Sequence, residues 1–131
     1  MATRWGSEFT ISQITAEQQA NVRVVGLDDG RFFALWDSNL SVPGALPSYD
    51  IVGRFFNADG TPSGAEFTVN QTLAGDQGNA TITELSNGNV AIVFNDSSET
   101  GADTSATAVR VQIVSPTGSL IGSEILANTI T

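Results

Sequence analysis

Apolar and polar residues alternate in short runs along the chain, and nowhere do the apolar positions keep the spacing of a helix face. The runs predict strands at residues 22–27 (VRVVGL), 31–37 (RFFALWD), 49–57 (YDIVGRFFN) and 65–71 (AEFTVNQ). A second set follows at 80–85 (ATITEL), 89–95 (NVAIVFN), 107–114 (TAVRVQIV) and 123–128 (SEILAN). Turn sequences separate them: DDG at 28–30, ADG at 58–60, SNG at 86–88 and PTG at 116–118. The glycine in each takes the positive φ that a tight hairpin needs. Residues 16–22 and 74–80 read as loops, because the second stretch has two glycines where the first would form a helical turn.

The two sets of strands are copies. GSEF at 6–9, GAEF at 64–67 and GSEI at 122–125 recur every 58 residues. Aligned without a gap, Gly6, Glu8, Phe9, Thr10, Gln13, Ala16, Gln19, Asn21, Leu27, Gly30 and Gly60 each meet an identical residue 58 positions later. The chain therefore reads as a single domain, 1–131, made of two repeats, 6–63 and 64–121, with the start of a third at 122–131. A four-stranded antiparallel meander repeated at this length is the plan of a propeller blade. The extra length lies in the loops at 38–48 and 96–106. The expected fold class is all-β, with two four-stranded propeller-type blades plus one extra strand. The alternative is a β-sandwich in which the two sheets simply face each other.

The run RFFALWD is apolar on both of its alternating faces. A strand of that kind is buried on both sides, as in a sheet between neighbours. Phe33, Leu35, Trp36 and Phe55 are accordingly expected in the core, with their repeat counterparts Ala91, Val93, Phe94 and Ile113.

Charge narrows the partners. Fourteen acidic residues against five basic ones give a net charge of −9. Such a surface repels phosphate backbones, so no nucleic-acid partner is expected. No apolar run is long enough to span a membrane, so no membrane insertion is expected. The first residues, MATRWGSEFT, have no signal-peptide core, which reads as a leaderless chain or a domain cut from a longer one. There is no cysteine and no histidine. Disulfides, thiolate metal sites and the commonest general base are thus excluded.

In a meander, the long loops share an edge with the connections between repeats, and binding residues are expected there. That edge carries Glu17, Asp37, Asp50, Asp76, Asp96, Glu99 and Asp103. Oxygen ligands suit Ca2+, so Asp37, Asp76, Asp96, Glu99 and Asp103 are candidate metal ligands, with Ca2+ the candidate cofactor. No D-x-D-x-D-G loop supports them, and a solvated acidic face is the plainer reading. Gln19 and Gln77 are equivalent, as are Asn21 and Asn79. Their amides would suit sugar hydroxyls, but equally would tie down loop backbone once per repeat. Trp5 and Tyr49 are candidate stacking platforms, while edge packing is the plainer role for both. Catalysis is disfavoured: Asp28 and Asp29 sit in a turn, and their counterparts are Ser86 and Asn87.

The phrases GRFFALWDS, GRFFNADGTPSGAEFTVNQT and AGDQGNATITELSNGNVAIVFND resemble tandem repeats of very large secreted bacterial proteins. Those proteins often also carry hemolysin-type (RTX-like) calcium-binding repeats. The resemblance implies propeller blades and an extracellular, secreted setting. The G-G-x-G-x-D type nonapeptide of that family is absent here, so calcium binding does not follow from it. In plan alone the chain is similar to two-blade bacterial lectins, where copies of a short chain assemble a sugar-binding ring. The leading expectation is a non-enzymatic extracellular repeat module, structural or adhesive. The rival is a carbohydrate-binding lectin forming an oligomeric β-propeller. Expected partners are further copies of the chain, two or three per ring, and a glycan or cell-surface ligand.

Overall fold

In a computed structural model, residues 6–16, 18–39, 48–104 and 106–128 are described. They contain eight strands and no helix. The first sheet, sheet A, runs β1 (Gln19–Gly26), β2 (Phe32–Ser38), β3 (Asp50–Phe56) and β4 (Phe67–Thr68) in spatial order. Sheet B repeats it with β5 (Gln77–Glu84), β6 (Val90–Asp96), β7 (Ala108–Val114) and β8 (Leu120–Leu126). Every neighbouring pair is antiparallel. The all-β class and the two four-stranded sheets are as the sequence implies. Gly30, Gly60, Gly88 and Gly118 close the turns with φ between 84° and 89°.

Several boundaries differ from expectation. β1 and β5 begin inside the stretches read as loops. Asn21 and Asn79 both have φ of 52°, and each sits in a register shift of the ladder, between Ala20 and Arg23 or between Gly78 and Thr81. Asparagine tolerates the left-handed region better than most residues, and the extra residue makes a bulge. A bulge breaks the alternation, so the strand signal starts only after it. β4 is shorter than the run 65–71 because a side chain takes over its ladder. Val69 N still donates to Ile51 O at 2.7 Å, but Ile51 N donates to Asn70 Oδ1 at 2.7 Å. The second repeat does the same: Ala127 N reaches Val109 O at 2.8 Å, and Val109 N reaches Asn128 Oδ1 at 2.9 Å.

Between the sheets lies one core, built from Phe33, Leu35, Ile51 and Phe55 of sheet A, with Val69 just past β4, against Ala80, Val90, Ile92, Phe94 and Val114 of sheet B. Each fully buried side chain of this size contributes about 1.5–3 kcal/mol. The opposite face of sheet A holds Ala34, Trp36, Val52 and Phe56, packed under Ile11 and Phe32. Phe94 thus faces the other sheet, while Trp36, its counterpart 58 residues earlier, faces away from it. The sheets are related head to tail, as successive blades are. We call the Trp36 and Phe94 side of each sheet its leading face, and the other side its trailing face.

Phe33, Leu35, Trp36, Phe55 and Phe94 are buried as expected, Trp36 to 3% exposure. Ala91, Val93 and Ile113 are only half-buried. They lie on the trailing face of sheet B, which no described sheet covers.

The repeat places the extra strand at the first copy of the phrase, 6–9. Residues 6–16 instead form no strand and lie along the leading face of sheet A. Phe9 meets Phe56 with ring centroids 6.0 Å apart. Gln13 N donates to Glu66 Oε2 at 2.8 Å, and Glu66 N donates back to Gln13 Oε1 at 3.0 Å. The third copy of the phrase lies within β8, so it completes sheet B.

Candidate functional site

At the long-loop edge a cleft of about 300 Å3 opens between the repeats. Asp37 stands there next to the end of β2, and Tyr49 leads into β3. Asp76 precedes β5, whose first residues Gln77, Gly78 and Asn79 also line the cleft, while Asn95 comes from the end of β6 and Ser97 and Thr107 from the loop that follows it.

Backbone hydrogen bonds set this geometry. Gln77 N donates to Tyr49 O at 2.8 Å, and Tyr49 N donates to Asp76 Oδ1 at 2.9 Å. Asp76 N donates to Ser97 Oγ at 2.8 Å, and Ser97 N donates to Asp76 O at 2.9 Å. The phenol of Tyr49 donates to Gln18 Oε1 at 2.7 Å, which holds the half-buried ring at the rim. Gly78 lets β5 approach β2 closely, since a Cβ there would stand 2.9 Å from Asp37 Oδ2.

Asp37 is the unusual group. It is 4% exposed. Asn21 Nδ2 donates to its Oδ2 at 2.7 Å. Its buried Oδ1 has no hydrogen-bond partner among the described residues. A carboxylate oxygen out of water without a donor is costly, and a donor-bearing ligand would relieve that cost.

Of the expected ligand-binding residues, the cleft gathers Gln77, Asn79 and Tyr49. Gln77 is fully buried and fully used: Nε2 donates to Ala74 O at 2.7 Å and to Asp96 Oδ1 at 2.8 Å, while Asn70 donates to its Oε1 at 3.3 Å. Gln19 makes the matching bond to Ala16 O at 3.0 Å. The repeated glutamine therefore ties down loop backbone. Gln19 and Asn21 line a separate hollow on the leading face of sheet A, and Trp5 falls outside the described residues.

The five candidate metal ligands do not converge. Among the described residues no three side chains of metal-binding type are grouped to hold an ion. The reason is that each has another role or place. Asp37 and Asp76 flank the cleft. Asp96 is paired with Arg110 and accepts from Ser98 and Gln77. Asp103 is buried and accepts from Asn128. Glu99 sits exposed at φ 55°.

Two carboxyls here titrate away from their ordinary value. Burial acts to raise Asp96, but the hydrogen bonds from Gln77, Ser98 and Arg110 outweigh it and hold the group low. Asp50 goes the other way: burial and the nearby Asp76 charge raise it, and the bond from Asn70 only partly compensates.

Asn95, Ser97, Thr107 and Gly78 were not expected in the site. The repeat offset was the signal for two of them, since Asn95 and Thr107 are the counterparts of Asp37 and Tyr49. The cleft draws on the equivalent loops of both repeats.

No family model, no curated protein and no solved structure matches this chain.

Proposed function

We propose that the protein is a non-enzymatic, extracellular repeat module of adhesive type, and that its inter-repeat cleft binds a neutral sugar. The observation that carries this reading is the buried, unpaired Oδ1 of Asp37. It needs a donor. The groups that line the same cleft, the amides of Asn79 and Asn95 and the hydroxyl of Thr107, both donate and accept. A sugar hydroxyl does the same and satisfies both kinds of partner. An ammonium ligand only donates, and would leave the amide N–H groups unserved. Tyr49 at the rim adds an aromatic surface for the ring. The extracellular bacterial setting rests on the resemblance of the repeat phrases to secreted tandem repeats.

A glycan array followed by titration calorimetry tests it. Saturable binding to one sugar class is expected, weakened about 10–100-fold in Asp37→Asn, because a hydrogen bond to a charged group is worth about 1.5–3 kcal/mol. Unchanged melting of that variant would show that the fold survives. No saturable sugar binding, equal binding by Asp37→Asn, or a preference for organic ammonium ions would refute the assignment.

A further inference from the structure

The repeat allows each surface to be compared with an equivalent one that is already covered. The trailing face of sheet A is buried by the leading face of sheet B. The contact joins two different faces, so it does not use itself up. It leaves one leading face, on sheet A, and one trailing face, on sheet B.

Both remaining faces expose residues whose counterparts are buried. On the leading side, Val22 and Val24 are 51% and 61% exposed, while their counterparts Ala80 and Ile82 are built into the core between the sheets. A hollow of about 140 Å3 opens there over Trp36, lined by Ile11, Asn21 and Val22. Of the counterparts of its lining, Val69, Asn70, Gln77, Ala80 and Phe94 are buried, and only Gly78 and Asn79 are not. On the trailing side, Val93, Val111 and Ile125 are aligned across β6, β7 and β8, and Ala91, Ile113 and Ile121 form the row beside them. Ile125 is 55% exposed, whereas its counterpart Phe67 packs on the core. Val93 and Ile113 are half-buried, whereas their counterparts Leu35 and Phe55 are buried.

We infer that a second copy of this chain docks head to tail, setting the leading face of its sheet A on the trailing face of sheet B. The internal contact between the repeats supplies the template: Val22 and Val24 of the incoming copy take the places of Ala80 and Ile82. A contact that repeats in this way closes into a ring when its rotation permits.

One segment must move. Phe9 lies where a Cβ on Gly60 would be, as Phe67 lies against Gly118. Residues 6–16 therefore stand where β8 of the neighbour arrives. β8 is laddered to β7, and residues 6–16 carry no ladder, so the N-terminal segment gives way. This inference does not depend on the sugar cleft.

Light scattering from about 1 μM to about 1 mM tests it with two variants, one per face. The wild type should exceed 13.7 kDa increasingly with concentration. Val24→Asp and Ile125→Asp should each stay at 13.7 kDa with unchanged melting, since both side chains are exposed. Mixed together they should form a 1:1 complex of twice that mass and nothing larger, because each retains the face that the other lacks. Val24→Lys and Ile125→Lys repeat the series, so that added acidity on a chain of net charge −9 is not mistaken for a blocked face. A wild type that stays monomeric throughout, a single variant that still associates, or a mixture that remains monomeric would overturn the docking.

Discussion

The ring of Phe33 lies over Gly53 on the neighbouring strand, so that a Cβ built on Gly53 would stand 2.3 Å from Cζ. In sheet B the pair is exchanged for Ala91 beside Val111, with the bulk moved to the other strand. Gly53→Ala should destabilise the protein by about 1–3 kcal/mol, the usual cost of overpacking. A fall in the denaturant midpoint would show it, and an unchanged midpoint would mean that the ring is not confined there.

Glu124 ties β8 to the segment that follows β4. Its Oε1 accepts from Gln71 N, and from Thr72 N at 2.9 Å, while Thr72 Oγ1 donates to Oε2 at 2.8 Å. Glu66 makes the simpler version, receiving Gln13 N at 2.8 Å. A glutamine offers one acceptor oxygen in place of two. Glu124→Gln should therefore cost about 1–3 kcal/mol, and Glu66→Gln less. Equal effects in urea unfolding would remove the special role of Glu124.

Asp96 should make the protein acid-sensitive. The fold holds this carboxyl below its ordinary value, so the ionised form favours the folded state. That stability is complete above the ordinary value and is lost as pH falls through the folded one. Asp96→Asn breaks the buried pair with Arg110 and should cost about 3 kcal/mol at pH 7. Its melting temperature should then fall less steeply than that of the wild type below about pH 4. Parallel melting profiles would exclude this carboxylate as the cause.

Asp50 should act with the opposite sign. Its carboxyl is raised in the fold, so the protonated form is favoured there. The stabilisation is present at low pH and is lost as pH rises through the folded value. Asp50→Asn keeps an oxygen to accept from Asn70, which now donates to Asp50 at 2.7 Å. The variant should gain melting temperature relative to wild type between about pH 3 and about pH 7. A constant difference across that range would show that Asp50 does not titrate within it.

Much of this protein is determined locally and can be read from the chain alone. The 58-residue period, the turn glycines and the doubly apolar β2 follow from side-chain alternation and turn chemistry, which need only a few neighbouring residues. The bulges at Asn21 and Asn79 were hidden because a bulge interrupts the same alternation that reveals a strand. Which face of each sheet is covered was not local at all. In sequence, Val93 looks as much a core residue as Leu35, yet Leu35 is buried and Val93 is half-exposed, because sheet B lies against one and no described sheet lies against the other. The cleft was likewise decided only by tertiary structure. Asp37 and Asn79 belong to different repeats and meet because the sheets stack head to tail, a relation set by packing between repeats rather than by any pattern within one.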